Sequence, residues 1–322
     1  MKKIYEIGQA PLAGYTNEAM REIALEHCAD FVFSEMLSCE SILQDNKNVL
    51  KIVPNKPCRI QLFTARPEYI AGAAKKLEEI ATWFDINAGC PVKKVIKKGA
   101  GSALLKDLDR LKRMIRNLKY IAEVPVSVKI RSGWDRDEIE KIIVELAKEE
   151  PDAFFIHGRT QKQGFSGKAS WNVINKAVRI LEDSEIKVYA SGDLFTPEDI
   201  KIALEEYGID GVIVARGAIG NPWIFCQTKE LMEKGYYKPV EYETKLRTFE
   251  KHLKLLIEIF GERKGIFESR KFFTAYTKGL KNSRNMRSKY MTLINIEDIY
   301  EFLSQYINEI KRNSNRKQSR SL

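Results

Sequence analysis

The sequence predicts an α/β chain: a (β/α)8 TIM barrel followed by a small all-helical domain. Three observations predict it. Eight short, β-favouring apolar runs recur through the first 220 residues, and longer amphipathic stretches separate most of them. Strands alternating with helices imply βα units and a parallel sheet. Eight such units in that length fit a closed barrel better than an open sheet. From about residue 242 the alternation stops and only helical periodicity remains.

The predicted strands, in order, span 6–10, 30–34, 58–62, 83–87, 125–130, 153–157, 187–191 and 211–215. Helical periodicity covers 67–82, 108–122 and 136–150 among the intervening segments. Pro67 and the run Thr196-Pro197-Glu198-Asp199 carry the residue types that open helices. No GxGxxG follows the first strand and no GxxxxGK[ST] occurs, which weakens dinucleotide-fold and P-loop readings. The expected division is a catalytic barrel over residues 1–235, a helical domain over 242–312 and a disordered basic tail over 313–322. Helices are predicted at 242–261, 268–281 and 295–311.

Composition bounds the class. At 44% hydrophobic residues, the 322-residue chain can bury a sizeable core. No run approaches the ~18 consecutive apolar residues that span a bilayer, so no membrane partner is expected. Cysteines 28, 39, 58, 90 and 226 are scattered singly, far from the histidines. That spacing argues against a metal site and against disulfides, and fits a reducing cytoplasm. No protein partner is indicated, and a monomer is expected. The net charge of +10 is uneven: residues 241–322 hold 18 Lys and Arg against 10 Asp and Glu. A basic segment on a nearly neutral body suggests a polyanionic partner.

In a barrel of this kind, chemistry belongs at the C-terminal ends of the strands. There the sequence places Pro11-Leu12-Ala13, Gln61, Asn87 with Cys90, Lys129, His157 with Arg159, Ser191-Gly192-Asp193, and Ala215-Arg216. Glycine loops after the seventh and eighth strands suit a phosphate group, since backbone N–H groups can approach an anion there. A lysine closing an apolar strand is costly to desolvate without an electron-rich partner. In a flavin enzyme such a lysine tunes the reduced ring. Cys90 stands in a turn between Gly89 and Pro91, where a chain leaves a strand, rather than inside an apolar run.

The motifs "APLAGYTNEAMR" (10–21), "DINAGCPVKKVIKKGAGSALLKD" (85–107), "VPVSVKIRSGWD" (124–135), "HGRTQKQGFSGKASW" (157–171), "SGDLFTPED" (191–199) and "DGVIVARGAIGNPWIF" (210–225) occur in order. Together they resemble the tRNA-dihydrouridine synthases, most closely the bacterial branch. The resemblance runs through the whole barrel and, more loosely, the helical segment. It implies an FMN-dependent enzyme that reduces uridine in tRNA to 5,6-dihydrouridine, with NADPH as reductant and Cys90 as proton donor. Carried over, Pro11, Leu12, Ala13, Gln61, Lys129 and His157 contact FMN. Ser191, Gly192, Asp193, Ala215 and Arg216 lie at its phosphate end. Asn87 and Arg159 orient the uracil. The family's usual Asn-Gly-Asp and Gly-Arg-Gly stand here as Ser191-Gly192-Asp193 and Ala215-Arg216-Gly217.

A tRNA substrate needs a grip on phosphates. Lys93 and its neighbouring lysines border the Cys90 turn. Residues 270–289 hold seven basic residues and no acidic ones, with Lys278, Lys281, Arg284 and Arg287 recurring every three residues. If helical, they form a drifting basic stripe. The aromatics of that segment are expected to pack the helical core. Two rival readings remain open on the residues: a flavin barrel of the dihydroorotate dehydrogenase type, and a non-catalytic RNA-binding barrel.

Overall fold

The computed structural model describes residues 4–318. Eight parallel strands build it: β1 (Glu6–Gln9), β2 (Leu37–Ser38), β3 (Cys58–Phe63), β4 (Ala81–Ala88), β5 (Val126–Arg131), β6 (Ala153–His157), β7 (Lys187–Ser191) and β8 (Gly211–Val214). They pair in the order β1-β8-β7-β6-β5-β4-β3-β2. The seam between β1 and β3 closes through Val32, bridged to Gln9, and Phe33, bridged to Arg59. The expected strand at 30–34 therefore lies in the barrel wall only as single bridges. Its backbone bonds divide between both neighbours, Gln9 N–H donating to Phe31 O at 3.0 Å and Ser34 N–H to Arg59 O at 2.8 Å. The regular two-residue ladder of β2 lies further along. Gly8 permits this closure, because a Cβ there would sit 2.2 Å from the Phe31 ring.

Side chains alternate across each strand. Phe84, Ile86, Ala88, Val126, Val128 and Ile130 face outward into the main core beneath the helices. Trp83, Phe155, Tyr189 and Ile213 fill the barrel with Phe31 and Phe33. The helix Leu108–Ile121 shows why the helices dock. Leu111, Met114, Ile115 and Leu118 recur on one face, and all four are buried. Asp107 caps its start by accepting the Arg110 N–H at 3.1 Å. Thr196 and Asp199 form a capping box before the helix Pro197–Glu206.

Beyond the barrel come four helices, Tyr242–Phe260, Glu262–Tyr276, Ser283–Tyr290 and Ile296–Gln318. The third arises where the sequence suggests one continuous helix to residue 281, then no element. The last helix runs into the segment expected to be a disordered tail, and residues 319–322 of that tail lie outside the described residues. Leu246, Phe249, Leu253, Phe272, Phe273, Tyr276 and Tyr290 form a second core, which Ala19, Met20 and Trp223 of the barrel join. The aromatics of 270–289 thus pack inward, as expected.

One expectation is corrected. Cys28 and Cys226 form a disulfide across 198 residues of chain. Sequence spacing hides the pair because the fold alone brings the two segments together: Cys226 N–H donates to His27 O at 3.1 Å. Cys39 and Cys58 are free and buried, and Cys90 is free and half-buried.

Candidate active site at the C-terminal ends of the strands

A cleft opens over the strand ends. Cys90 and Asn87 line it with Pro11, Leu12, Ala13 and Gln61. Lys129, His157, Ser191, Gly192, Asp193, Ala215 and Arg216 complete its wall. The strand register brings these distant segments together: Gln61 pairs with Asp85, Asn87 with Lys129, and His157 with Ser191.

Asn87 organises the turn that carries Cys90. Its Oδ1 accepts the N–H groups of Cys90 at 3.0 Å and Gly89 at 3.3 Å. The Cys90 carbonyl is held from the other side by Ser102, through its N–H at 3.1 Å and its hydroxyl at 2.9 Å. Gly101 makes that approach possible, with φ +62° and a Cβ position 2.9 Å from Cys90 O. Arg131 Nε donates to Gly89 O at 2.8 Å. Burial pushes the Cys90 thiol above its ordinary pKa, outweighing the Val92 backbone and the positive charges of Arg131 and Lys129. Lys93, Lys94, Lys97 and Lys98 are all exposed. They are not among the charges acting on the thiol, so it keeps its proton at neutral pH.

Lys129 stands beside it, half-buried. Burial lowers its pKa to about 8, opposed by Asp85 and assisted by Arg131. Among the described residues no hydrogen bond or ion pair engages its ammonium. His157 is buried, and desolvation followed by Lys129, Arg131, Arg159 and Arg216 lowers its pKa to about 2. The ring is neutral. Arg159 Nη1 lies 3.4 Å from its Nε2. Arginine can only donate, so Nε2 accepts and Nδ1 carries the proton.

The loops after β7 and β8 form a glycine-rich corner of the cleft. Gly192, at φ +127°, lets the chain pass where a Cβ would sit 2.6 Å from the Ala169 Cβ. Gly217 packs backbone to backbone, since a Cβ there would fall 2.1 Å from Leu194 O. Arg216 reaches the rim between Phe165 and Phe195, with its guanidinium 4.8 and 5.3 Å from their ring centres. Asp193 holds this corner together. Its carboxylate takes Arg159 Nη2 at 2.8 and 2.7 Å, the Ala169 N–H at 2.8 Å and Arg216 at 3.4 Å. Burial raises its pKa, but the Ala169 N–H and Arg159 outweigh that and leave it lowered.

Not every expected residue reaches the cleft. Arg159 is 2% exposed and is spent on Asp193, Ser166 O and Gly167 O. It braces the corner around Asp193 and does not line the cleft. Lys93 begins the short helix Lys93–Ile96 at the rim. Lys278, Lys281, Arg284 and Arg287 do not form one helical stripe. Gly279 (φ +81°) and Asn282 (φ +58°) take left-handed conformations that end one helix and begin another. Lys278 and Lys281 lie in that turn, and Arg284 is exposed on the helix Ser283–Tyr290. Arg287 is half-buried and donates to Thr277 Oγ1 at 2.9 Å. The helical region touches the barrel rim near this face, where Lys271 Nζ donates to Gly14 O and Phe272 meets Tyr15 edge-on.

Sequence reasoning also missed residues. Asp85, fully buried, accepts Gln61 Nε2 and Ser127 Oγ at 2.7 Å each. Burial raises its pKa to about 6. Its signal was a carboxylate alternating with Trp83 and Asn87 inside an apolar run. Phe165, 58% exposed, covers the cleft near His157 and carried no signal beyond its place in a polar loop.

A closed parallel barrel with a protonated thiol, a lysine outside any ion pair and a glycine-rich corner at its strand ends has the layout of a barrel enzyme. Residues 8–312 match the dihydrouridine synthase (Dus) family, and the chain belongs to it. It is 38% identical over 286 residues to a probable tRNA-dihydrouridine synthase of Treponema pallidum, covering 84% of each chain. It is 32% identical over 312 residues to tRNA-dihydrouridine synthase B of Shewanella oneidensis, covering 94% of this chain and 96% of that one. Its fold resembles that of histamine dehydrogenase from Rhizobium sp. 4-9, with a TM-score of 0.54 at 11% identity. That match covers 77% of this chain and spans about half (49%) of the other.

Proposed function

We propose that this chain reduces specific uridines in tRNA to 5,6-dihydrouridine, with FMN seated over the strand ends and NADPH as the ultimate reductant. When bound, FMN supplies the hydride that adds to C6 of the uracil ring. The observation that carries the reading is Cys90, a half-buried thiol held at the cleft by both its backbone groups and kept protonated by burial.

The residues present fit FMN. Among the described residues the Lys129 ammonium forms no hydrogen bond or ion pair, and Asp85 acts on it only at longer range, which suits it to an electron-rich ring. Gln61 and the neutral His157 line the same cleft, and Pro11, Leu12 and Ala13 add an apolar wall. The backbone at Ser191, Gly192 and Asp193, with Ala215 and Arg216, suits a phosphate. The Asp193 carboxylate itself is occupied by arginines, so its part is to hold Arg216 and to present its N–H.

Cys90 Sγ holds the proton that C5 receives as negative charge develops on the uracil. Asn87 keeps the thiol in place. A uridine inside folded tRNA must be swung out to enter the cleft. Lys93 at the rim, with Lys278, Arg284 and Arg287 on the helical region, supplies positive charge for the surrounding phosphates. Its tRNA substrate places such an enzyme in the cytoplasm, a reading that no longer draws on unpaired cysteines because Cys28 and Cys226 are joined.

Mapping dihydrouridine in tRNA from cells lacking this protein tests the reading. Loss of the base at one or a few positions, restored by re-expression, is expected. Dihydrouridine unchanged at every position overturns it.

A further inference from the structure

We infer that Asp85 is a positioning residue for Cys90, acting through the side-chain amides of Gln61 and Asn87. The three side chains come from adjacent strands in register, and they link the barrel interior to the turn that carries the thiol. Trp83 Nε1 donates to Ser127 Oγ at 2.8 Å, and Ser127 Oγ donates to Asp85 Oδ1 at 2.7 Å. Gln61 Nε2 donates to Asp85 Oδ2, and Asn87 Nδ2 donates to Gln61 Oε1, each at 2.7 Å. Asn87 Oδ1 then accepts the N–H groups of Cys90 and Gly89.

The direction of this chain is what matters. An amide can turn either end to a neighbour, so Gln61 and Asn87 would bond each other equally well if both were reversed. Reversed, however, the Asn87 NH2 would confront the N–H groups of Gly89 and Cys90, donor against donor. A carboxylate only accepts. Asp85 therefore compels Gln61 to turn its NH2 inward, which turns its oxygen to Asn87 and the Asn87 oxygen to Cys90. Among the described residues no Lys, Arg or His forms an ion pair with Asp85. Its charge is held by the hydrogen bonds from Gln61 and Ser127, with Lys129 and Arg59 acting at longer range, and the Gln61 bond is the one that runs toward the thiol. A burial site with no exposed surface is a costly place for a carboxylate that did nothing but fill space.

The substitution Asp85→Asn keeps the shape and reverses the signal. Trp83 occupies one Ser127 lone pair, and the other acceptor open to the Ser127 proton, Phe84 O, lies at 3.5 Å, so the proton favours the oxygen of the new amide. The NH2 of that amide then faces Gln61, the amides of Gln61 and Asn87 both flip, and the Cys90 N–H loses its acceptor while Ser102 still holds the carbonyl. Adding Asn87→Asp moves the carboxylate to the other end. The amide at position 85 then donates to Gln61, Gln61 donates to the carboxylate at position 87, and Cys90 regains an acceptor.

The test is alkylation of Cys90 by iodoacetamide in the full-length protein, with the modified peptide identified by mass. The other free cysteines are buried and the remaining two are paired. Asp85→Asn is expected to alkylate about fivefold faster, the scale of one lost hydrogen bond, and the double variant to return to the wild-type rate. An Asp85→Asn rate equal to wild type, or a double variant no closer to wild type than the single, overturns the inference. A second arm rests on the proposed function: Asp85→Asn lowers kcat for tRNA reduction about tenfold without changing KM. If tRNA is not the substrate, that arm is silent for every protein, wild type included, while alkylation still reads the chain.

Discussion

Two cations at opposite ends of the barrel, the buried Arg59 and the half-buried Lys129, are treated oppositely. Arg59, below, lies 3.4 Å from the Phe31 ring centre and 4.3 Å from that of Trp83. It pairs with Glu6 at 3.0 Å, and Glu6 also accepts the Tyr189 hydroxyl. Lys129, above, has no stacking ring, hydrogen bond or ion pair among the described residues, and Asp85 acts on it only at longer range. Both have pKa values lowered first by burial. What separates them is pairing: Arg59 is stacked and ion-paired, though its Nη1 has no hydrogen-bond partner, whereas Lys129 forms no ion pair among the described residues. On the proposed function, the Lys129 charge is left for the cofactor.

The strongest way to break this comparison is to remove both cations in turn. Arg59→Met strips the pair from the barrel floor and leaves Glu6 without its partner. Unfolding free energy should fall by roughly 2–4 kcal/mol, with FMN affinity of the folded protein unchanged. Lys129→Met should do the reverse: FMN affinity measured by fluorescence titration falls roughly ten- to a hundredfold, with Tm unchanged or raised. Equal effects of both on stability would erase the distinction.

A smaller effect sharpens it. Lys129 faces Asp85, Cys90, Arg131 and His157, and its pKa near 8 means that the ammonium is present below that pH and lost above it. FMN affinity should therefore decline as pH rises through about 8, and Lys129→Met should flatten that decline. The smallest effects are expected at the surface. Reversing Lys278, Arg284 and Arg287 to Glu should weaken tRNA binding severalfold and reduce its salt dependence, while NADPH oxidation is untouched. Unchanged tRNA affinity would remove that surface from the account. Arg287 should matter least of the three, because it is already engaged by Thr277.

The same contrast explains what was legible beforehand. Strand ends were readable because a Lys, a His or a glycine closing an apolar run violates the local pattern. Seven of the eight strands lie within one or two residues of the runs that predict them. The segment 30–34 reads as a strand but makes only single bridges, because its bonding is divided at the barrel seam. Asp85 went unread because its significance depends on which amides lie across two strands, and that is a matter of register. Arg159 looked available at a strand end, yet Asp193, 34 residues on, consumes it. The basic stripe failed for a local reason, since Gly279 and Asn282 break the helix that a spacing of three would need. The Cys28–Cys226 pair was invisible because it depends on closure of the whole fold.

Delivery of the proton by Cys90 is tested most directly in a single turnover of purified protein with reduced FMN and unmodified tRNA. Mass analysis of the RNA and flavin absorbance follow the two products. Wild type should oxidise the flavin and add two hydrogens to a specific uridine. Cys90→Ala should bind FMN and accept electrons from NADPH, yet leave the tRNA mass unchanged. Full conversion of the uridine by Cys90→Ala would contradict the assignment.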